Sequence, residues 1–222
     1  MFERFTPAAH RVVELADQEA DRLRHGYLGP EHVLVGIVGQ AESPAGRVLR
    51  ARGLDLEAVR GELDRLVEQG ILPGPERNHA ALLGSLGVDL EAVRRTAEEA
   101  FGQKAVGQAT RRVLRRRWWR GSGPGWTPLC GKAAVAKRAL QLASAEADAL
   151  GQHDIGPEHV LLGLVRDAQE PIRRPGRYAK RVRAYLGLPE QGPSPVKVVV
   201  ESRGLSLEGL REAVLAELHA TT

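Results

Sequence analysis

The chain of 222 residues has a single cysteine, Cys130, and a single methionine, and aromatic residues make up only 4% of it. One thiol cannot close an internal disulfide or furnish a cysteine-rich metal site, so the composition suits a reducing compartment and a cytoplasmic location is expected. No apolar run approaches the roughly 20 residues that span a bilayer, and the start "MFERFTPAAHR" lacks the apolar core of a secretory signal, so no membrane attachment is expected. Zinc-type spacing is also missing. His32 and His159 each follow a glutamate, but no H-E-x-x-H or Cys/His cluster accompanies them, and His10, His25, His79, His153 and His219 show no ligand spacing, so no metal is expected and these imidazoles read as packed or capping groups. No Ser/His/Asp or Cys/His constellation can be assembled, so the chain reads as a non-enzyme without a cofactor. The closest approach to a phosphate loop, "GWTPLCGKAA", has Gly125 one residue too far from Gly131 and Lys132, with Ala133 where a magnesium-binding hydroxyl belongs.

What the chain has in quantity is helix-forming sequence. Ala, Leu, Arg, Glu and Val dominate, and "VKVVVES" at 196–202 is the one stretch a strand has a claim on. The net charge is +4 because 32 basic residues are interspersed with 28 acidic ones, a small surplus for the size. The chain also repeats itself. Residues 8–38 align without gaps on 135–165 with 16 identities in 31 positions, including the pairs Arg11/Arg138, Glu19/Glu146 and Asp21/Asp148 and the whole of "GPEHVL". A second element occurs three times, as "LRARGLDLEAVRGEL" at 49–63, "LGSLGVDLEAVRRTA" at 83–97 and "VESRGLSLEGLREAV" at 200–214. The chain divides on this basis into a first repeat at 1–70, a middle half-repeat with an Arg-rich linker at 71–125, and a second repeat at 126–222 with an insertion near 167–195.

Each unit reads as helix with punctuation. Val12, Val13, Ala16, Ala20 and Leu23 share one face at three- and four-residue steps, which predicts a first amphipathic helix of about five turns. Gly29-Pro30-Glu31 restarts a short buried helix, because Pro suits the first helical position and a carboxylate in the first turn favours the helix dipole. Gly53, Gly87 and Gly204 end a further helix, and Asp55, Asp89 and Ser206 cap the next. A full unit is therefore expected to hold a long, a short buried and two medium helices. The fold class is all-α.

The segments "MFERFT", "GPEHVLVGIV" and "LRARGLDLEAVR", in this order and spacing, resemble the Clp amino-terminal repeat domain of ClpC- and ClpA-type unfoldases, here without their ATPase motifs. The resemblance implies two pseudo-symmetric four-helix repeats packed together, and a stand-alone docking module that acts as an adaptor or decoy beside a Clp protease. Its implied partners are Clp protease substrates or adaptors, phosphoarginine-marked proteins and cyclic-peptide antibiotics. By that resemblance Glu31 takes a guanidinium while Arg4 and Thr6 hold the phosphoryl group. Glu158 is the matching carboxylate of the second unit, where the gapless alignment sets Ala133 opposite Thr6 and the hydroxyl is lost. Pro30 stands where the family has Thr. Phe5 is expected in the core and Phe2 at the ligand surface. A rival reading comes from Arg111, Arg112, Arg115, Arg116, Arg117, Trp118 and Trp119, a basic stretch with aromatics that suits nucleic-acid backbones and stacked bases.

Overall fold

The computed structural model describes residues 2–74, 90–102, 105, 133–170, 188 and 193–221. Helix α1 (Pro7–Arg22) is the long helix of the first unit, started by Pro7 at its first position and by Thr6, whose Oγ1 accepts the Ala9 N–H at 3.2 Å. It buries Val12, Val13, Ala16 and Ala20 along the stripe read from the sequence. Strand β1 (Tyr27–Leu28) leads into α2 (Pro30–Val38), every residue of which is buried. Helix α3 (Pro44–Arg50) is shorter than the medium helix expected, because Gly53, at φ 73°, ends it and Asp55 starts α4 (Leu56–Glu68) by accepting the Ala58 N–H at 2.8 Å.

The middle segment contributes α5 (Leu90–Phe101). Strand β2 (Ala133–Ala134) opens the second unit, followed by α6 (Lys137–Ala149), α7 (Pro157–Gln169), α8 (Pro195–Glu201) and α9 (Leu207–Thr221). The valine-rich stretch with a claim to strand is thus helix α8. Its β-branched side chains cost it little, since Val196, Val199 and Val200 are wholly buried and packing decides the outcome.

The helices confirm the all-α class, to which the structure adds two short strand pairings. Tyr27 and Leu28 pair in parallel with Ala133 and Ala134, and Phe5 forms a parallel bridge with Ile155. These join the two units reciprocally, the start of each to the segment just before the other's buried second helix.

The units also interleave. Helix α3 of the first unit packs on α7 and α9 of the second, and α8 of the second packs on α2 and α4 of the first. One continuous core runs from Phe5 through Leu34 and Leu63 to Leu161, Val199 and Leu210. Division at residues 70 and 126 therefore separates sequence repeats but not the core they share.

Candidate functional site

The two Gly-Pro-Glu-His turns are built alike. Gly29 and Gly156 hold extended backbone as N-caps of α2 and α7, and each donates its N–H to the imidazole three residues on, at 2.9 Å to His32 Nδ1 and 3.0 Å to His159 Nδ1. An Nδ1 that accepts carries no proton, so both rings are neutral with the hydrogen on Nε2. These histidines are helix caps, the role read from the absence of ligand spacing. The glutamates fold back over the glycines, and a Cβ on Gly29 or Gly156 would overlap the carboxylate of Glu31 or Glu158. Glycine in this motif is thus a space requirement of the carboxylate.

The turns differ in what surrounds them. Glu31 is 1% exposed, with Oε1 3.7 Å from His32 Nδ1. The Glu158 side chain keeps 13% of its surface, and burial pushes its carboxyl above the usual range, against the pull of its own backbone N–H. Burial also lowers His159, with the nearby Arg4 charge adding to the effect and Glu146 opposing it.

Arg4 and Thr6 belong to the second turn by geometry, which corrects their grouping with Glu31. The Ile155 N–H donates to Arg4 O at 2.7 Å, and the Thr6 N–H donates to Ile155 O at 3.0 Å. The Arg4 guanidinium donates to His153 O at 2.7 Å, Asp148 Oδ1 at 2.7 Å, Ser144 Oγ at 3.2 Å and Gln152 O at 3.3 Å. Sequence order suggested a site within one unit, but the reciprocal strand pairing carries the amino-terminal segment across to the other. Facing the Glu31 turn, Ala136 N–H donates to Leu28 O at 2.9 Å, as Thr6 does to Ile155. Helix α6 accordingly begins three residues later than the repeat predicts, and the residue in the place of Thr6 is an alanine without a hydroxyl.

Phe5 is in the core, 6% exposed. Phe2 is half-buried, edge-on to Phe5 with ring centroids 4.9 Å apart, so it presents part of its ring beside the Arg4 segment. Arg111, Arg112, Arg115, Arg116, Arg117, Trp118 and Trp119 lie outside the described residues.

Two constellations escaped sequence reading. Glu19, 1% exposed, is bound by Arg22 at 2.6 Å and by Arg60 at 2.7 Å, and Glu146, 3% exposed, is bound by Arg166 at 3.2 Å and Arg211 at 2.7 Å. The Glu19/Glu146 identity and the shared Arg of "LEAVR" and "LEGLR" were its visible trace. The other is a cluster of His25, Glu31 and His32, whose potential ligand atoms lie within 4.8 Å of one another. It does not fit a divalent metal. His25 Nδ1 and His32 Nε2 are 2.9 Å apart, a hydrogen-bond distance, whereas two imidazole nitrogens on tetrahedral zinc stand about 3.3 Å apart for bonds of about 2.0 to 2.1 Å. The Gly29 N–H moreover keeps the His32 proton on Nε2, the atom a metal would need.

Two interleaved repeats, each with a capped Gly-Pro-Glu-His turn facing a strand of the other, define a class of pseudo-symmetric helical fold. Residues 4–76 match the model of the Clp repeat (R) N-terminal domain, and in this segment the chain is similar to that family. It is 30% identical over 169 residues, 76% of its length, to the chaperone protein ClpC, chloroplastic, of Pisum sativum and to the ATP-dependent Clp protease ATP-binding subunit ClpA homolog of Guillardia theta. The chain spans 13% and 14% of those two relatives. Among solved structures, the N-terminal domain of the caseinolytic protease associated chaperone ClpD from Arabidopsis thaliana covers 99% of this chain, and the match spans 97% of that domain, with a TM-score of 0.49 and 15% identity. Among the described residues, no helix is long and apolar enough to cross a membrane.

Proposed function

We propose that this chain is a non-catalytic docking module that captures phosphoarginine-marked proteins, adaptors or cyclic-peptide antibiotics in competition with the amino-terminal domain of a Clp unfoldase. The observation that carries the reading is the composite turn of the second unit. There a partly exposed carboxylate, Glu158, lies in the turn to which the Arg4 segment is bonded, and Thr6 and the half-buried Phe2 are on that same segment. A carboxylate accepts paired N–H bonds from a guanidinium, and an arginine with a hydroxyl complements a phosphoryl group. Arg4 is held by Asp148 and His153 O, so a ligand phosphate has to draw it off those partners, which favours a doubly charged anion over a singly charged one. Glu31, sealed from solvent, offers a second carboxylate only if its turn opens. Capture is stoichiometric, so a decoy acts by lowering the free concentration of its ligand.

Calorimetric titration of the purified protein with free phosphoarginine tests this reading, beside Glu158→Gln and Glu31→Gln. Saturable binding lost in Glu158→Gln and retained in Glu31→Gln is the expected result. Absence of heat from the unsubstituted protein would retire both carboxylates as guanidinium acceptors.

A further inference from the structure

The first unit carries a chain of hydrogen bonds that the second lacks. Gly29 N–H donates to His32 Nδ1, His32 Nε2 stands 2.9 Å from His25 Nδ1, and His25 Nε2 stands 2.7 Å from the carbonyl oxygen of Pro73. One proton arrangement satisfies all three contacts: both rings neutral, each with its hydrogen on Nε2 and each passing it onward. At the equivalent place of the second unit Gln152 replaces His25, and His159 Nε2 is buried without a hydrogen-bond partner among the described residues.

We propose that this relay is an acid-sensitive latch that fastens the segment leaving α4, through Pro73, to the turn that carries Glu31, and that a single added proton releases it. The only unprotonated ring nitrogens are the two Nδ1 atoms. A proton on His25 Nδ1 meets the His32 Nε2–H across 2.9 Å. His32 escapes that clash only by moving its own hydrogen to Nδ1, where it opposes the Gly29 N–H. A proton placed directly on His32 Nδ1 breaks the same cap. Each route sacrifices at least one of the three bonds, and with both rings buried a lost bond leaves a buried polar group unpaired.

The surroundings of the relay favour the neutral rings. From α1, Arg22 adds positive charge, and it is itself held by Glu19 and Asp64. From β1, the Tyr27 ring stacks on His25 with centroids 4.9 Å apart and lies 5.3 Å from that of His32. From α2, Glu31 faces His32 at 3.7 Å, the contact that favours charge. From the end of α4 the relay meets the Pro73 carbonyl. Burial accordingly holds His25 below the ordinary imidazole value, the Pro73 carbonyl opposing and Arg22 reinforcing that shift. A folded value below the unfolded one, about 6.5, means the latch is fully closed above that pH and weakens as pH falls from there toward the folded value. The latch does not depend on Glu31 being a ligand residue, although its release is the event that would uncover that carboxylate.

Hydrogen–deuterium exchange of the intact chain at pH 7.5 and pH 5.5, corrected for intrinsic rates, tests the latch at the amides of Gly29, Ile71 and Leu72. Their protection should fall severalfold, toward a limit of about tenfold for one proton, at the lower pH as the local opening equilibrium shifts. In His25→Gln, whose amide accepts from His32 and donates to Pro73 without titrating, that loss should vanish. Unchanged protection in the unsubstituted chain, or the same loss in His25→Gln, overturns the proposal. Should His25→Gln fail to fold, ¹⁵N imidazole spectra of the unsubstituted chain decide. Nε2–H tautomers on both rings at pH 7.5, with His25 titrating below about 6.5, sustain the latch; an Nδ1–H tautomer or titration at or above that value removes it.

Discussion

At the scale of single residues, glycines within the described helices differ in whether they make room for a neighbouring helix. Gly36 of α2 lies against α1 so closely that a Cβ would overlap the carbonyl of Val12 and crowd Ala16 N, and Gly163 of α7 stands in the same relation to Ala139 and Ala143 of α6. The obstacle is backbone, which cannot swing aside as a side chain does. Gly36→Ala therefore gains about 1 kcal/mol of helix preference but incurs overpacking of about 1 to 3 kcal/mol or more against an immovable neighbour. Urea denaturation should show a net loss. Gly61 of α4 has no atom within 4 Å of its would-be Cβ, so Gly61→Ala should shift the midpoint the other way, by up to about 1 kcal/mol. Equal shifts of the two variants would refute the close crossing of α1 and α2.

Among elements, each unit ties its first helix to its last by a buried carboxylate. Glu19 joins α1 to α4 through Arg60, and Glu146 joins α6 to α9 through Arg211. The arginines remain partly exposed, so removing the charge does not strand a buried cation, and the full penalty for breaking a buried pair does not apply. Glu19→Gln keeps the shape and one acceptor, and chemical denaturation should show it destabilised by about 1 to 2 kcal/mol, the difference between charged and neutral hydrogen bonds at a site screened on one side. No change would mean that the carboxylate is replaceable by its neutral isostere.

Elements were also what the sequence disclosed best. The stripe of α1, the restart at Gly29-Pro30-Glu31 and the caps at Asp55 and Ser206 each rest on chemistry within a few residues, and each is where the local pattern puts it. Helix α8 was ambiguous because a run of valines suits either a strand or a fully buried helix, and burial is a property of the partner elements. Arg4 was expected beside Glu31, but its hydrogen bonds go to the segment that leads into the Glu158 turn. Its partners from Ser144 to His153 lie 140 to 149 residues away, and no helical period carries information at that range.

The whole molecule is where the repeat and the fold part company. A duplicated sequence invites the expectation of two bodies that fold apart and then dock, yet α3 and α8 are exchanged, and the start of each unit is paired to the segment preceding the other's second helix. Removing the second unit would strip α2 and α4 of the Val196, Val199 and Val200 wall that helps to cover them, and would leave Arg4 without the partners it binds. Neither unit then has a complete core of its own, and native structure in one requires the other. Differential scanning calorimetry of the intact chain should accordingly show the two units melting in one transition, with calorimetric and van't Hoff enthalpies in agreement. Leu63→Ala in the first unit and Val199→Ala in the second should each lower that same transition, by about 2 to 5 kcal/mol for the leucine and somewhat less for the smaller valine. If either substitution instead splits off a separate low-temperature peak and leaves the remainder unmoved, the units are independent and the shared core is not what holds them together.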